Sequence, residues 1–407
     1  MRRLHPWLNF LLSLGLALTL AVISQPIVTP LKPLATPQTL TEIRGVWLTN
    51  VASGVLFFPW GINRALYQLA QLNFNTVYPV VWNRGHTFYP SSVAKSVTKR
   101  SQDPLLTIMR LGRDSLAEIV QEGHRQGLRV IPWFEYGFMA PANSQLVKHH
   151  PNWLTESSTL GNVALASPDA LSNHTQKQVW LNPLHPEVQQ LILDLIVEVI
   201  SKYDVDGIQL DDHFGMPVEL GYDSFTVGLY QQDHQGRNPP SYPLEPEWMR
   251  WRADQINQFI KRIVKTVKSI KPNCLVTLSP NSQTFAYKYY LQDWFSWVQR
   301  GWIEELILQV YRDNLSAFQT ELIQPSVQIA RQKIPVSIGI TTGTVRRPVT
   351  MKQIQQQVQE VRARGFKGVS FFYWETLWSY LTPESPHHRR RGFRELFTYR
   401  AIQSISH

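Results

Sequence analysis

The chain has 407 residues, of which 43% are hydrophobic and 12% aromatic, and this composition excludes an intrinsically disordered protein. The net charge of +10 favours acidic partners, but the one basic run with an aromatic residue, HHRRRGFR at 387–394, is interpreted as an exposed tail and predicts no nucleic-acid site. Cys274 is the only cysteine, which excludes an intramolecular disulfide and a multi-cysteine zinc site.

The chain begins with the pattern of an export signal. Arg2 and Arg3 precede the uncharged segment 7–23, as in a secretory signal peptide that is also just long enough for a membrane anchor. Four prolines follow within 25–40, which predicts a stiff linker. We therefore expect 1–24 to be a signal peptide or an inner-membrane anchor, and the folded part to lie in the periplasm or cell envelope.

From residue 41 the chain alternates short apolar runs with longer helical patterns. The helical spacing is clearest at 186–203 and 248–270, where apolar residues recur every three or four positions. Eight repeats of this alternation predict an α/β fold, a single (β/α)8 TIM barrel over 41–400 with a tail at 401–407, rather than an open doubly wound sheet. The predicted strands are 43–50, 76–83, 129–137, 207–214, 275–281, 306–311, 336–342 and 368–375.

The connections after strands 2, 3 and 4 are long, at 84–113, 138–185 and 215–247, whereas the helix-to-strand connections are short. In a barrel every strand-to-helix connection lies at the C-terminal ends of the strands, where active sites are found. The additional chain is therefore concentrated on the face that carries chemistry.

Acidic residues occur near the ends of three predicted strands. Alternation along strand 4 places Gln209 and Asp211 inside the barrel, and the same reasoning gives inward Glu135 on strand 3 and Glu375 on strand 8. Carboxylates among aromatic side chains are suited to glycoside cleavage. The predicted catalytic residues are Asp211, Asp212, Glu135 and Glu375. The predicted substrate-binding residues are Trp47, Asn83, Trp133, Asn182, Gln209, His213, Asn281, Gln309, Tyr311, Tyr373 and Trp374.

Four motifs in order, IRGVWLTN, VWLNPLHPEV, DVDGIQLDDHF and GWIEELILQVY, resemble the glycosyl-hydrolase-like 10 family from about residue 42 to 380. The resemblance implies a (β/α)8 barrel of the bacterial envelope that hydrolyses glycans, with peptidoglycan strands as the substrate. The family motif DGI-x-x-DD matches 206–212, including Asp211 and Asp212. The sequence departs from the family at Glu135, where many relatives have asparagine.

Two mechanisms remain open. In the first, Asp211 is the nucleophile, and Glu135 or Glu375 is the general acid and base, as in retaining glycosidases. In the second, the 2-acetamido group of the substrate attacks, one of Asp211 and Asp212 orients that group, and the other is the acid. Adjacent acids at the end of strand 4 resemble those of substrate-assisted hexosaminidases.

Two other classes of protein are also consistent with these residues. A metal-dependent hydrolase would use Asp211, Asp212 and His213, but we predict no metal or other cofactor because three consecutive residues are poorly placed to face one ion. A non-catalytic barrel would bind glycan on the same aromatic and polar side chains without cleaving it. The expected partner in either glycan-directed case is a polysaccharide or oligosaccharide, and a membrane only through the N-terminal segment.

Overall fold

The computed structural model describes residues 40–158, 177–344, 347–379 and 382–402. The predicted signal and nearly all of the predicted linker lie outside these ranges. Within them, no helix combines the length and the apolar character that a membrane crossing requires.

Eight parallel strand positions close into a barrel, as predicted. Each strand pairs with the next along the chain, and the last pairs with the first through Val369 opposite Arg44 and Phe371 opposite Val46. The strands are β1 Ile43–Leu48, β2 Thr76–Asn83, β3 in two pieces at Arg129–Val130 and Trp133–Phe134, β4 Gly207–Asp211, β5 Leu275–Ser279, β6 Glu305–Gln309, β7 Val336–Thr341 and β8 Gly368–Phe372.

Helices cover the outside of the barrel and occupy its long loops. Two of them, Pro186–Lys202 and Pro246–Ile270, lie where the apolar spacing predicts them, and each begins with a proline, whose fixed φ suits the first helical position. The others are Pro59–Gln71, Ser92–Thr98, Pro104–Arg110, Ser115–Arg125, Gln145–His149, Ser224–Asp233, Gln283–Tyr290, Trp294–Gln299, Leu315–Leu322, Pro325–Ala330, Met351–Ala363 and Pro386–Leu396.

Short strands and a 3-10 turn lie in the long loops at the C-terminal face of the barrel. The loop after β3 contains an antiparallel pair, Met139–Pro141 with Gln178–Trp180, and a 3-10 turn at Pro151–Trp153. The hairpin strand His86–Thr87 pairs with the end of β2. These additions extend the wall of the barrel mouth at β2 and β3, two of the three positions where the sequence predicts long loops.

The basic run at 387–394 is not an exposed tail, so that prediction is wrong. It lies in the helix Pro386–Leu396, and Arg389 within it is fully buried. The Arg389 guanidinium donates to the backbone oxygens of Leu377, Val349 and Thr376. These backbone oxygens thus hold the cation inside the fold, which a count of charges along the sequence does not reveal.

Both ends of the described chain meet at the opposite end of the barrel. Leu40–Thr41 pairs in parallel with Ala401–Ile402, so the ordered fold includes two residues of the predicted tail. Glu42, which is buried, joins this region to the barrel through ion pairs with Arg44 and Arg362, both at 2.7 Å.

Candidate active site

A cleft of about 320 Å³ opens at the C-terminal ends of the strands, where the extra loops gather. It receives side chains from most of the barrel, and most of the predicted site residues lie on its wall. Those predicted residues are Trp47, Trp133, Glu135, Asp211, Asp212, His213, Asn281, Gln309 and Tyr311.

Asp211 ends β4 at the base of the cleft and is only 3% exposed. Its Oδ1 accepts a hydrogen bond of 2.7 Å from the side-chain amide of Gln309, which is itself fixed by the backbone oxygen of Ser279. Burial, followed by the charge of Asp212, raises the pKa of Asp211 well above its usual range. These surroundings therefore favour the protonated form of this carboxyl.

Asp212 is more exposed than Asp211 and is oriented by two donors. Its Oδ2 accepts from the Asn281 side chain at 2.6 Å, and its Oδ1 lies 2.9 Å from Nδ1 of His213. The same Nδ1 lies 3.0 Å from the backbone oxygen of Glu135, so two acceptors face it and the ring proton belongs there. The histidine thereby ties the start of the β4 loop to the end of β3.

Glu135 lies just beyond β3 and is 7% exposed. Its Oε2 accepts from the side-chain amide of Asn83 at 2.5 Å and faces the Thr49 hydroxyl at 3.5 Å. Asn83 itself is fully buried and does not line the cleft, so its predicted contact with substrate is wrong. It positions the Glu135 carboxylate instead.

Gly137 permits the close approach of β3 to β4 at this point. Its φ is +46°, and a Cβ atom there would lie 2.6 Å from the backbone oxygen of His213. A side chain at this position would therefore push Glu135 and His213 apart.

Aromatic rings line the remaining wall. Trp47 lies with its ring centroid 6.2 Å from those of Trp133 and Phe372, and Tyr311 stacks on Phe372 at 5.5 Å. Burial and the charges of Asp211 and Asp212 raise the pKa of Tyr311 well above its usual range, so its hydroxyl stays protonated and can donate. Flat apolar surfaces beside hydrogen-bonding groups suit a sugar ring.

Asp211, Asp212 and His213 converge more closely than consecutive residues suggest. One ligand atom from each lies within 4.8 Å of the others, a spacing compatible with a metal ion. The sequence argument that three neighbours are poorly placed to face one ion is therefore wrong.

Glu375 does not join the other carboxylates, contrary to the prediction. β8 ends at Phe372, and Glu375 lies in a 3-10 turn, where it accepts from the Ser53 hydroxyl and the backbone N–H groups of Gly54 and Val55. Burial raises the pKa of Glu375 to about 8. Its role is to hold the loop after β1, and this finding removes it from the candidate general acids.

Four further predicted substrate contacts are buried outside the cleft. Tyr373 and Trp374 turn into the core because the strand has ended, and Phe372 takes the inward position instead. Gln209 points inward as predicted but one layer lower, where its Oε1 accepts from the Trp47 indole at 2.7 Å. Asn182 joins two loops, donating to Asp223 and Thr226. Each of these four predictions is corrected by the observed burial.

The structure adds cleft residues that sequence reasoning missed. Tyr136 follows Glu135 and stacks on His213 at 5.4 Å, and Arg84 lies over the Tyr136 ring. The aromatic segment after β5 was the available signal for Phe285 and Tyr290, which also line the cleft. The remaining additions are Val51, Asp313, Thr341, Thr344, Arg347, Val349 and Phe372.

Comparison with known proteins gives a family match over most of the chain. A family model described as Glycosyl hydrolase-like 10 matches residues 42–361. "Glycosyl hydrolase DigH" of Escherichia coli K12 is 27% identical over 326 residues, which cover 69% of this chain and 67% of that protein. "Glycosyl hydrolase YngK" of Bacillus subtilis is 25% identical over 319 residues, 68% of this chain and 56% of that protein.

The fold also resembles a solved glycoside hydrolase domain. The PgaB (BpsB) glycoside hydrolase domain of Bordetella bronchiseptica superposes with a TM-score of 0.59 at 14% sequence identity, covering 90% of this chain and all of that one. At this identity the likeness supports the barrel fold and nothing finer.

Proposed function

Because the chain belongs to the glycosyl hydrolase-like 10 family, we propose that it is an exported hydrolase that cleaves peptidoglycan glycan strands in the cell envelope. The class of enzyme, glycoside hydrolase, agrees with the sequence prediction and follows from the family. The substrate is therefore a carbohydrate. The choice of peptidoglycan and the location in the envelope are the proposal.

The observation that carries the proposal is the arrangement of Asp211 and Asp212. One carboxyl is buried and has a raised pKa, and its neighbour is oriented by two N–H donors at the edge of the same aromatic cleft. Glycoside cleavage needs two carboxyl groups whose environments differ in this way. The export-type N-terminus and the +10 charge suit an anionic envelope polymer.

We propose the substrate-assisted mechanism, because Asp212 is oriented beside Asp211 at the cleft and Glu375 lies outside it. Asp211 donates its proton to the leaving glycosidic oxygen as the 2-acetamido oxygen of the sugar attacks the anomeric carbon. Asp212 orients the acetamido group and stabilises the positive charge of the cyclic intermediate. Water then opens that intermediate and returns a proton to Asp211, so the product keeps its anomeric configuration. Because Glu375 lies outside the cleft, direct attack by Asp211 would depend on Glu135 as the general acid and base.

Digestion of purified cell-wall glycan tests the proposal. Strands with and without stem peptides are incubated with the protein, and the products are identified by mass spectrometry; the Asp211→Asn variant is the control for contaminating activity. We expect shorter glycan products from the wild type only. Binding without any product would favour a non-catalytic glycan-binding barrel. Loss of cleavage in chelator, restored by a divalent metal, would favour the metal-dependent alternative.

Export is tested separately. A reporter enzyme that is active only in the cytoplasm, fused after residue 40, should be silent because the Arg2–Arg3 and apolar segments direct the fusion outward. A fully active reporter would contradict the proposed location without affecting the proposed chemistry.

A further inference from the structure

The helix Gln283–Tyr290 presents exposed aromatic rings at the edge of the cleft. Phe285 is 38% exposed and Tyr289 is 43% exposed. They are four residues apart, which places them on one face of the helix, and their ring centroids are 5.1 Å apart. Neither ring fills the core, and the Lys288 ammonium lies over the Tyr289 ring, 5.2 Å from its centroid, so this is a surface face of aromatic rings beside a cation.

This face is continuous with the candidate active site. Phe285 lines the cleft, and its ring lies 5.8 Å from that of Tyr290, which also lines it. Asn281, which donates to Asp212, immediately precedes the helix. Phe285 therefore lies on the wall of the cleft, and Tyr289 lies beside it, just outside the residues that line the cleft.

The backbone beneath these rings is fixed. The backbone oxygens of Tyr289 and Tyr290 accept from the N–H groups of Val218 at 2.9 Å and Met216 at 2.7 Å. A Cβ atom on Gly215 would lie 2.4 Å from the Tyr290 oxygen, so the glycine permits this close approach. Rings held on a fixed backbone bind a ligand with little loss of conformational entropy.

We propose that Phe285 and Tyr289 form outer subsites that hold further sugar units of the glycan chain whose linkage is cleaved at Asp211. The apolar C–H face of a sugar ring packs on an aromatic ring, and a polymer that leaves the cleft toward this helix meets Phe285 first and Tyr289 next. The inference rests on the proposed function and adds a length requirement to it. Long strands are cleaved in preference to short ones.

A series of peptide-free glycan strands, fractionated by length, tests these subsites. In the Tyr289→Ala variant we expect kcat/KM on long strands to fall roughly tenfold, while the value on the shortest cleaved strands stays unchanged, because Tyr289 does not line the cleft. The Phe285→Ala/Tyr289→Ala double variant should lose more on long strands than Tyr289→Ala does. Tyr67→Ala is the matched control, because Tyr67 is 42% exposed on another helix and lies outside the cleft.

Binding gives a second measurement that does not depend on turnover. The inactive Asp211→Asn protein should bind long strands more tightly than short ones, and the additional double substitution should abolish that difference. Equal losses on long and short strands, or no loss on either, would overturn the outer subsites while leaving the proposed function intact. A wild-type protein that neither binds nor cleaves any strand would overturn both.

Discussion

At the scale of single residues, the site depends on two neighbouring carboxyl groups in unequal surroundings. Asp211 is enclosed at the base of the cleft, whereas Asp212 reaches its edge and is oriented by Asn281 and His213. Burial disfavours the ionised form of Asp211, and the charge of Asp212 adds to the effect. One backbone position thus separates the proposed proton donor from the proposed orienting group.

Substitution of each aspartate separates the two roles. We expect Asp211→Asn to reduce kcat by several powers of ten with unchanged thermal unfolding, because the amide keeps the shape and lacks the proton. Asp212→Asn should be almost as damaging if the acetamido group attacks. The activity that remains in this variant should decline on the alkaline side at a lower pH than wild-type activity does. The reason is that removal of the neighbouring charge lowers the pKa of Asp211.

Kinetics on cell-wall glycan across a pH series measure both effects. Substrates without the 2-acetamido group should resist even the wild type. Rapid cleavage of such substrates, together with a mild effect of Asp212→Asn and a severe effect of Glu135→Gln, would support direct attack instead. An Asp211→Asn protein with more than about a tenth of wild-type turnover would contradict both mechanisms.

Glu375 provides a prediction about stability and pH. Its pKa of about 8 in the folded protein exceeds the ordinary glutamate value, so the folded state retains a proton that the unfolded state has released. The contribution of this group to the free energy of unfolding is therefore fully present in acid, and it is lost as the pH rises through the range up to about 8. Glu375→Gln resembles the protonated form, and we expect it to raise the unfolding free energy at pH 9 by on the order of 3 kcal/mol.

Denaturant unfolding at pH 5 and pH 9 checks this expectation. At pH 5 the variant and the wild type should be similar. Glu395→Gln is a suitable control, because Glu395 lies on the surface in an ion pair with Arg391 and not in the loop contact. A Glu375→Gln protein that is destabilised equally at both pH values would show that its hydrogen bonds, and not its ionisation, are decisive.

At the scale of elements, the junction between β3 and β4 determines the geometry of the site. The strands themselves are predictable, because apolar residues alternate with helical patterns, and each strand except β2 ends one to three residues before its predicted end. Asp211 is predictable for the same reason, since Ile208 and Leu210 identify the outward face of β4. The chain leaves the sheet early at the rim, where loops replace the neighbouring strand as hydrogen-bonding partners.

The error at β8 has an identifiable physical cause. Four consecutive aromatic residues, Phe371 to Trp374, would occupy both faces of a strand. Alternation of polarity therefore does not show which of these side chains face the interior of the barrel. The helix-facing ring of Phe371 packs on Phe393, and Phe372 points inward. Glu375 then falls beyond the strand end, a position that depends on loop geometry and not on local pattern.

Gly137→Ala tests the β3–β4 junction. The methyl group would meet the His213 carbonyl in a left-handed conformation, so we expect a loss of about 1–3 kcal/mol in unfolding free energy and a drop in turnover. Gly127→Ala is the matched control, because its φ is +75° but no atom lies within 4 Å of the added Cβ. The Gly127→Ala variant should lose about 1 kcal/mol in unfolding free energy and keep the turnover of the wild type. Equal effects of the two variants on turnover would contradict a role of the junction in the site.

At the scale of the whole molecule, the two ends of the described chain close the face opposite the active site. Leu40–Thr41 pairs with Ala401–Ile402, and buried Glu42 forms ion pairs with both Arg44 and Arg362. Arg44 also donates to the backbone oxygen of Tyr399, near the C-terminal end. Hydrogen bonds and ion pairs thus join the two ends of the described chain at the end of the barrel opposite the cleft.

Truncation at this fastening gives a graded test of where the fold begins. A protein that starts at Leu40 keeps the terminal strand pair and Glu42, so we expect it to unfold cooperatively and to retain turnover on glycan. In a protein that starts at Ile43, Arg44, which is fully buried, and Arg362 lack their carboxylate partner. We expect the free energy of unfolding to fall by about 3–5 kcal/mol. Glu42→Gln in the longer protein separates the lost charge from the lost strand and should account for most of that change. Thermal unfolding of the three proteins measures these effects. A non-cooperative transition for the Leu40 protein would mean that earlier residues belong to the fold. Equal stability of all three proteins would mean that the ion pairs of Glu42 do not stabilise it.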